Sequence, residues 1–232
     1  MIADDIAAFV AAELESRADP MKATPMAAYM KTTMPFYGVQ AAAQKEIARA
    51  AAKRFDLTSQ RDYERTINEL WSRPHREERY LAIRIARLYP ELVTPRVLKL
   101  YEKLIRDGAW WDLVDDIAIH LAGKVLLEHR AKVVPLMDDW ISDDNMWIRR
   151  SAIISQIGHK QNTDYRRLFA YCRARAFETE FFIRKAIGWG LRDYSYTAPG
   201  RVVTFLNDNA DSLSGLSFRE AAKGLRRMGF CI

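Results

Sequence analysis

Two residues with chemical potential stand one helical turn apart near the middle of the sequence. Trp111 and Asp115 are four residues apart, so on a helix the indole and the carboxylate share one face. The same spacing recurs at intervals of 35 residues, in Met146 with Arg150 and in Phe181 with Lys185, followed one turn later by Trp189. Indole faces attract cations, basic groups bind phosphates, and a carboxylate stabilises a developing positive sugar and orients an attacking water. A cationic base on a polyanionic backbone would satisfy all three groups.

The interval of 35 residues also predicts the fold that positions these side chains. Small or medium apolar residues follow this interval and form an apolar column, Ile47, Ala82, Ile117, Ala152, Ile187 and Ala222. Helical segments that repeat at this length are typical of HEAT-like helix pairs. Two positions earlier stands a charged column, Lys45, Tyr80, Asp115, Arg150, Lys185 and Glu220. At about 100° per residue this column lies about 200° from the apolar one, so we expect it to be exposed along a shared groove.

Simpler interpretations of these residues stay open at this point. A tryptophan on a repeat helix usually packs in the core, and a lysine such as Lys185 is usually solvated. Asp115 and Arg150 are also placed to form an ion pair that only joins neighbouring repeats. The tryptophans that we assign to packing are Trp71, Trp110, Trp140 and Trp147. Composition and spacing alone predict a groove for something anionic.

The bulk composition favours a large core and a polyanionic partner. Hydrophobic residues make up 49% of the 232 residues, and the formal net charge is +6. The two cysteines lack metal-ligand spacing and the N-terminal residues do not resemble a signal peptide, so we expect a cytoplasmic protein. The sequence contains no uninterrupted apolar run of about 18 residues, so we expect no helix that spans a membrane. The four histidines are scattered and nucleotide-binding glycine motifs are missing, so we expect neither a metal nor an organic cofactor.

Apolar residues at three- and four-residue spacing predict helices almost throughout the chain, and no segment alternates like a strand. The predicted helices cover 2–17, 24–33, 38–55, 58–71, 76–89, 91–106, 110–127, 130–142, 145–158, 162–176, 179–194, 199–209 and 216–228. Helix N-caps are expected at Asp143, Asn145 and Thr179, with similar signals at Thr58 and Ser217. We expect one domain over 1–232, with an N-terminal helical cap over 1–35 and about five to six helix pairs over 36–232.

Several blocks of the sequence resemble one known family. They are PMAAYMK at 25–31, ELW at 69–71, WWDLVD at 110–115, DNMWIRRSAI at 144–153, FFIRKAIGW at 181–189 and REA at 219–221. These blocks run along nearly the whole chain, and the Trp-Trp-Asp-Leu-Val-Asp and Lys-Ala-Ile-Gly-Trp pieces are quite specific. By these residues the chain resembles the AlkD-type DNA alkylation repair glycosylases, a HEAT-like repeat superfamily.

The resemblance implies an all-α, HEAT-like helical-repeat solenoid that is curved and binds DNA on its concave face. Members of this family hydrolyse the N-glycosidic bond of positively charged N3- and N7-alkylpurines in duplex DNA, as a step of base excision repair. They use no metal or organic cofactor and do not extrude the damaged base into a tight pocket, unlike most base-processing enzymes. We therefore expect a monofunctional hydrolase that acts as a monomer on duplex DNA containing alkylated purines.

The resemblance also implies roles for individual residues. Asp115 matches the catalytic carboxylate, which would stabilise the oxocarbenium-like sugar and position the attacking water. Trp111 and Trp189 match the two aromatic residues that line the lesion. Arg150 matches the basic residue at the DNA backbone, and Tyr29 matches the aromatic residue of the N-terminal cap that reaches towards the damaged strand. The residues expected only to line the groove are Phe181, Phe182 and Lys185.

Two other function classes stay open. A non-catalytic relative that binds branched or distorted DNA would show salt-sensitive binding without base release. A protein-binding HEAT scaffold would keep its DNA affinity unchanged after charge reversal at Arg150 and Lys185. The presence of both Trp111 and Asp115 is the feature against the non-catalytic relative, and the match of residues to the family favours the glycosylase over both classes.

Overall fold

The computed structural model describes all 232 residues, which form helices and connecting segments without a strand. The all-α, helical-repeat fold predicted from the sequence is confirmed. The chain divides into two compact units, Met1–Leu100 and Tyr101–Ile232. The division into a cap over 1–35 and helix pairs over 36–232 stays a prediction. No helix combines the length and the apolar character that a bilayer crossing requires.

The first unit contains five helices, and the N-terminal helix packs on the third and the fourth of them. Its helices are α1 Ile2–Ser16, α2 Pro20–Met30, α3 Ala41–Arg54, α4 Gln60–Trp71 and α5 Arg76–Ala86. Helix α1 buries one face, which includes Ile6 and Leu14, against α3 and α4. Helices α3 and α5 pack together and contribute Ile47 and Ala82 to the core. No side chain of helix α2 is fully buried.

A buried carboxylate at the start of α5 holds the segment between α2 and α3. Glu77 accepts hydrogen bonds from the three consecutive backbone N–H groups of residues 37–39, at 3.1, 2.8 and 3.1 Å. Burial raises the pKa of Glu77, and these three donors oppose the rise. Gly38 has φ +88°, and a Cβ there would lie 2.0 Å from the carbonyl oxygen of Asp19. Only glycine fits this close turn of the segment.

The second unit is also built of helices. Its helices, of which the first begins within the last residues of the first unit, are α6 Leu98–Gly108, α7 Trp111–Ile117, α8 Gly123–Glu128, α9 Arg130–Trp140, α10 Met146–Ile154, α11 Tyr165–Ala174, α12 Phe181–Ser195, α13 Pro199–Asp208 and α14 Gly215–Arg227. A π-helical turn, Ala118–Ala122, joins α7 to α8 without a break. Helix α7 packs on α10, α10 packs on α12, and α12 packs on α14.

The predicted repeat of 35 residues appears directly in the helix starts. Helices α3, α5, α7, α10 and α12 begin at residues 41, 76, 111, 146 and 181. All six residues of the apolar column are at most 1% exposed. Consecutive members of this helix series contact each other within each unit. Within each unit the apolar column is therefore buried where neighbouring repeats pack, as the sequence predicts.

Some local predictions are wrong. The short helix predicted over 24–33 spans Pro20–Met30, because the Asp19 side chain accepts from the N–H of Met21 and caps it, with Pro25 inside the helix. The helix predicted over 91–106 begins only at Leu98, since two 3-10 turns precede it.

The predicted helix caps are right in one case and displaced in others. Asn145 caps α10, and its side-chain oxygen accepts from the N–H groups of Trp147 and Ile148. Asp143 is not a cap; it accepts from the N–H of Asn145 and pairs with Arg106. The residues that precede α4, α12 and α14 are Ser59, Glu180 and Ser214, in place of the predicted Thr58, Thr179 and Ser217.

Candidate active site

The helix that carries Trp111 and Asp115 starts after an unusual backbone position. Ala109 has φ +37°, in the left-handed region that residues other than glycine rarely adopt. Trp110 is extended, and Trp111 is the first residue of α7. Backbone strain of this kind persists only where the surrounding structure holds it in place, and it is frequent beside functional sites.

Asp115 on α7 and Arg150 on α10 form a bidentate ion pair. The Nε atom of Arg150 donates to Oδ1 of Asp115 at 2.8 Å, and its Nη2 atom donates to Oδ2 at 2.7 Å. The Asp115 side chain is 15% exposed and the Arg150 side chain is 5% exposed. A planar guanidinium fixes the plane of the carboxylate that it binds in this way. Both carboxylate oxygens are therefore fixed in position while part of the group still faces solvent.

Two opposing influences act on the ionisation of Asp115. Burial is the larger influence and raises the pKa of the carboxyl above its ordinary value. The hydrogen bonds and the positive charge of Arg150 lower it, while the charges of Asp112 and Asp116 raise it. The carboxylate therefore takes up a proton at a higher pH than an exposed aspartate does.

Arg150 is held in turn by the start of α12. Its Nη1 atom donates to the backbone carbonyl of Phe182, and its guanidinium carbon lies 5.8 Å from the centre of the Phe182 ring. That ring packs against Trp110 and Trp147, with ring centres 5.3 and 4.9 Å apart. Phe182, which we expected to line the groove, thus forms part of an aromatic cluster that supports Arg150. Trp147 is buried, in agreement with the packing role expected for it.

A close approach between backbones lies beside the two helices that carry the ion pair. A Cβ on Gly123, the first residue of α8, would lie 2.4 Å from the carbonyl oxygen of Ser155, which follows α10. His159 is buried, and its Nε2 atom donates to the carbonyl of Gly123 at 3.0 Å. These contacts join the start of α8, which continues α7 through the π-helical turn, to the segment that follows α10.

The prediction that the charged column is exposed is wrong for three of its members. Arg150 and Glu220 are buried, and Asp115 is mostly buried. The reason is that charges at the same position in consecutive repeats pair with each other, Asp115 with Arg150 and Lys185 with Glu220. The ion pair between repeats, which was the alternative interpretation of Asp115 and Arg150, is present.

Lys185 shares its carboxylate with two further cations. The Nζ atom of Lys185 lies 3.0 Å from Oε1 of Glu220. The same carboxylate also pairs with Lys223 through Oε1 and with Arg192 through Oε2. Burial alone would raise the pKa of Glu220, but the hydrogen bonds and charges of Lys223 and Lys185 lower it to about 2. A Cβ on Gly188 would lie 2.4 Å from the Cβ of Glu220, so α12 and α14 pack closely at this point. Glu220 is not among the site residues predicted from the sequence, although its position 35 residues after Lys185 is a usable signal.

The two indoles predicted to line the lesion belong to the second unit and are neither fully buried nor fully exposed. Trp111 and Trp189 are both half-buried, so each presents part of its ring to solvent. Phe181 is 57% exposed and packs edge-on against Phe182, with ring centres 5.3 Å apart. The predicted site residues that lie in the second unit are Trp111, Asp115, Arg150, Phe181, Phe182, Lys185 and Trp189.

Tyr29 lies in the other compact unit. It belongs to α2, near the end of that helix, and its side chain is 72% exposed. Most of the surface of this side chain therefore faces solvent. Its predicted contact with the damaged strand stays a prediction.

Comparison with known families decides the class of this protein. A family model for DNA alkylation repair enzymes matches residues 10–225. The chain belongs to the DNA alkylation repair enzyme family. The matched range includes every candidate site residue, from Tyr29 to Glu220. Membership of the DNA alkylation repair enzyme family supports a role in the repair of alkylated DNA.

The chain is also similar to solved structures. A structure described as a predicted DNA alkylation repair enzyme from Enterococcus faecalis is 28% identical, with a TM-score of 0.83 over 90% of this chain and 96% of that chain. The structure of smu.31 from Streptococcus mutans UA159 is 15% identical, with a TM-score of 0.57 over 78% of this chain and 90% of that chain, and shares the fold. No curated protein matches the sequence at a significant level.

Proposed function

We propose that this member of the DNA alkylation repair family is a monofunctional DNA glycosylase. Its substrates are positively charged N3- and N7-alkylpurines in duplex DNA, and the bond that it hydrolyses is the N-glycosidic bond. The protein acts as a monomer in the cytoplasm, and it excises the base without extruding it into a pocket. Family membership supports the repair role, and the chemistry of the site supports the reaction.

The reaction needs a carboxylate more than it needs an acid. As the bond between C1′ and the purine nitrogen breaks, its electron pair neutralises the alkylated base, which leaves without protonation. Positive charge develops on the sugar, and the Asp115 carboxylate stabilises it at short range in a partly desolvated site. Water then adds to C1′, and the proton that it loses passes to bulk water. Asp115 orients this water through a carboxylate lone pair that Arg150 does not occupy.

One observation carries this proposal. The Asp115 carboxylate, 15% exposed, is held in a bidentate pair by the buried guanidinium of Arg150. A carboxylate that is fixed before substrate arrives does not reorganise during the reaction, which is how electrostatic stabilisation lowers a barrier. Arg150 acts here as a positioning residue. The contact between Arg150 and the DNA backbone, expected from the resemblance, remains part of the proposal.

The aromatic residues supply recognition. A purine that carries a positive charge is attracted to indole faces, by about 0.5–2 kcal/mol for each contact. Trp111 and Trp189 are half-buried and take this role in the proposal. Phe181 and Tyr29, which are mostly exposed, provide further aromatic contacts to the DNA.

The experiment is incubation of the purified protein with duplex DNA treated with a methylating agent, followed by chromatography of the released bases. We expect release of 7-methylguanine or 3-methyladenine and intact strands that contain abasic sites. Salt-sensitive DNA binding without release of any alkylated base would contradict the proposal and support a non-catalytic DNA-binding protein. Absence of DNA binding as well would support a protein-binding scaffold.

A further inference from the structure

A second bidentate ion pair lies directly beside the pair of Asp115 and Arg150. The Nε atom of Arg149, the residue before Arg150 on α10, donates to Oε1 of Glu178 at 2.8 Å, and its Nη2 atom donates to Oε2 at 2.8 Å. Glu178 lies in the segment between α11 and α12. Neither Arg149 nor Glu178 is among the site residues predicted from the sequence, and their separation of 29 residues falls outside the repeat.

We propose that Arg149 and Glu178 are positioning residues for the reaction at Asp115. They fix the first turn of α12 against α10, and this turn carries the backbone carbonyl that holds Arg150. Their role in the reaction rests on the proposed function, whereas their effect on the ionisation of Asp115 can be measured in the protein without substrate.

Both members of this second pair are mostly buried. The Arg149 side chain is 12% exposed and the Glu178 side chain is 6% exposed. Phe177 and Thr179, on either side of Glu178, are exposed, so Glu178 turns inward from an otherwise exposed stretch. Replacing a buried ion pair by apolar contacts is often neutral for stability, but the pair defines one geometry through its directed hydrogen bonds. The pair therefore suits a role in orientation.

Arg149 also holds the segment that precedes α10. Its Nη1 atom donates to the backbone carbonyls of Asp143 and Asp144, both at 2.8 Å. The next residue, Asn145, caps α10. One guanidinium therefore makes four hydrogen bonds and joins the start of α10 to the segment that leads into α12. Because its nitrogens lie in one rigid plane, a shift of either segment would lengthen several of these bonds at once.

Glu178 is joined in turn to the first turn of α12. Its backbone carbonyl accepts from Nε of Arg184, the fourth residue of α12, at 3.0 Å. Its N–H donates to the carbonyl of Arg175 at 3.2 Å, and Nη1 of Arg175 lies 3.5 Å from its Oε1. The position of the first turn of α12 is therefore coupled, through Glu178, to Arg149 on α10.

The backbone carbonyl of Phe182 passes this position on to the candidate active site. Phe182 lies on the first turn of α12, and its carbonyl accepts from Nη1 of Arg150. The other two nitrogens of Arg150 bind the two oxygens of Asp115. A displaced start of α12 would therefore turn the guanidinium of Arg150 and, with it, the plane of the carboxylate. A misplacement of about 1 Å is enough to slow an enzyme about a hundredfold.

Position and charge have opposite effects on Asp115, so experiment can separate them. Loss of the negative charge of Glu178 leaves an additional positive charge nearby, and that charge alone would lower the pKa of the Asp115 carboxyl. A displaced Arg150 gives up hydrogen bonds that lower this pKa, so displacement raises it. The charges of Asp112 and Asp116, which also act on Asp115, are unchanged in such a variant. The direction of the pKa change therefore distinguishes a positioning role from an effect of charge.

The test compares Glu178→Gln with Asp138→Asn in the full-length protein. Asp138, on α9, accepts two hydrogen bonds from Arg167 on α11, with N–O distances of 2.8 and 2.9 Å. The control therefore removes a carboxylate from a pair of the same form in the same unit. Single-turnover release of 7-methylguanine from methylated duplex DNA is measured at saturating protein over a pH series. Thermal unfolding verifies that both variants are folded at the assay temperature.

We expect Glu178→Gln to release the base about ten- to a hundredfold more slowly than the wild type, with an acid limb that moves to higher pH. Asp138→Asn should stay within about twofold of the wild-type rate and keep the wild-type acid limb, because its site is independent. A wild-type rate in folded Glu178→Gln would overturn the inference. So would a slower rate whose acid limb stays in place or moves to lower pH, because that pattern indicates an effect of charge or of general destabilisation.

A second variant, Arg149→Lys, tests the same point if Glu178→Gln does not fold. It keeps the charge of the pair, but a lysine presents a point charge without the planar fork that binds both carboxylate oxygens. We expect slower release and an acid limb at higher pH, as for Glu178→Gln. A wild-type rate and a wild-type acid limb in Arg149→Lys would overturn the inference.

A measurement without substrate separates this inference from the proposed function. The NMR chemical shift of the Asp115 carboxyl carbon, followed over a pH series, gives the pKa of this group in the wild type and in Glu178→Gln. We expect a higher pKa in the variant, and an unchanged or lower pKa would overturn the inference. If the wild type releases no base from methylated DNA, the proposed function fails, while this titration still tests whether Arg149 and Glu178 position Arg150.

Discussion

Asp115 and Arg150 stand 35 residues apart, at the same position of consecutive repeats, and meet in a bidentate ion pair with N–O distances of 2.8 and 2.7 Å. The pair joins α7 to α10 and also fixes the carboxylate that the proposed reaction requires. One interaction therefore serves both the packing of the repeats and the geometry of the site. Its two contributions can be separated by experiment.

Replacement of Arg150 should affect stability and base release together. Arg150→Gln leaves a mostly buried carboxylate without its cation, which we expect to cost about 3 kcal/mol in the free energy of unfolding. Base release slows because Asp115 is no longer held. Chemical denaturation gives the first effect, and single-turnover base release gives the second.

In the double variant with Asp115→Asn, the loss of stability should be smaller than the sum of the single losses, because the two residues share one interaction. Additive losses would show that the pair contributes no coupling.

The pH dependence of base release follows from the burial of Asp115. The reaction requires the carboxylate, and burial raises its pKa above the ordinary value despite Arg150. As the pH decreases, activity should therefore begin to fall at a pH higher than the range in which an exposed aspartate takes up its proton. Arg150→Gln removes the hydrogen bonds that lower this pKa, so its acid limb should move to higher pH. Single-turnover rates over a pH series measure both limbs. An acid limb that does not move in Arg150→Gln would exclude Asp115 as the titrating group.

Much of the fold follows from the sequence because packing sets a strict period. The residues from Ile47 to Ala222 in the apolar column are all buried, and five of the helices on which they lie start at intervals of 35 residues. The exposure of the charged column does not follow. Helical periodicity gives the direction of a side chain relative to its own helix pair, but it does not show what the next repeat places against it. Arg150 and Glu220 are buried for that reason.

The site was predictable in its residue types and less so in its contacts. The spacing of Trp111 and Asp115 indicates one helix face, and the stride of 35 residues brings Arg150 to the same position in the next repeat. Nothing in the sequence shows that the backbone carbonyl of Phe182 completes the support of Arg150, because that contact depends on how α12 begins. The cap positions depend similarly on local turns, as Ser59 in place of Thr58 illustrates.

Glu220 should make the stability of the protein sensitive to acid. Its pKa is lowered from 4.5 to about 2 in the folded protein, so its contribution is fully present above 4.5 and is lost as the pH falls towards 2. Glu220→Gln leaves Lys185, Arg192 and Lys223 without their shared carboxylate, and we expect a loss of about 2 kcal/mol at neutral pH. Denaturation at a series of pH values checks this, with the exposed Glu180→Gln as control. Identical pH profiles for both variants would contradict the assignment.

Two glycines on neighbouring helices should respond in opposite ways to alanine. At Gly188 the new Cβ would lie 2.4 Å from the Cβ of Glu220, so Gly188→Ala should push α12 and α14 apart and cost about 1–3 kcal/mol. At Gly200, on α13, nothing lies within 4 Å, and Gly200→Ala should stabilise the helix by up to about 1 kcal/mol. Thermal unfolding of the two variants gives the comparison. A neutral Gly188→Ala would show that the helices are not closely packed there.

The most direct measurement is single-turnover release of 7-methylguanine from methylated duplex DNA by Asp115→Asn at saturating protein. Asp116→Asn, on the same helix and one residue away, is the control, since it changes the charge equally without touching Arg150 in the bidentate pair. We expect Asp115→Asn to lose at least about a hundredfold in rate, to bind the duplex at least as tightly as the wild type, and the control to remain active. Release by Asp115→Asn at the wild-type rate would contradict the assignment of Asp115 as the catalytic carboxylate.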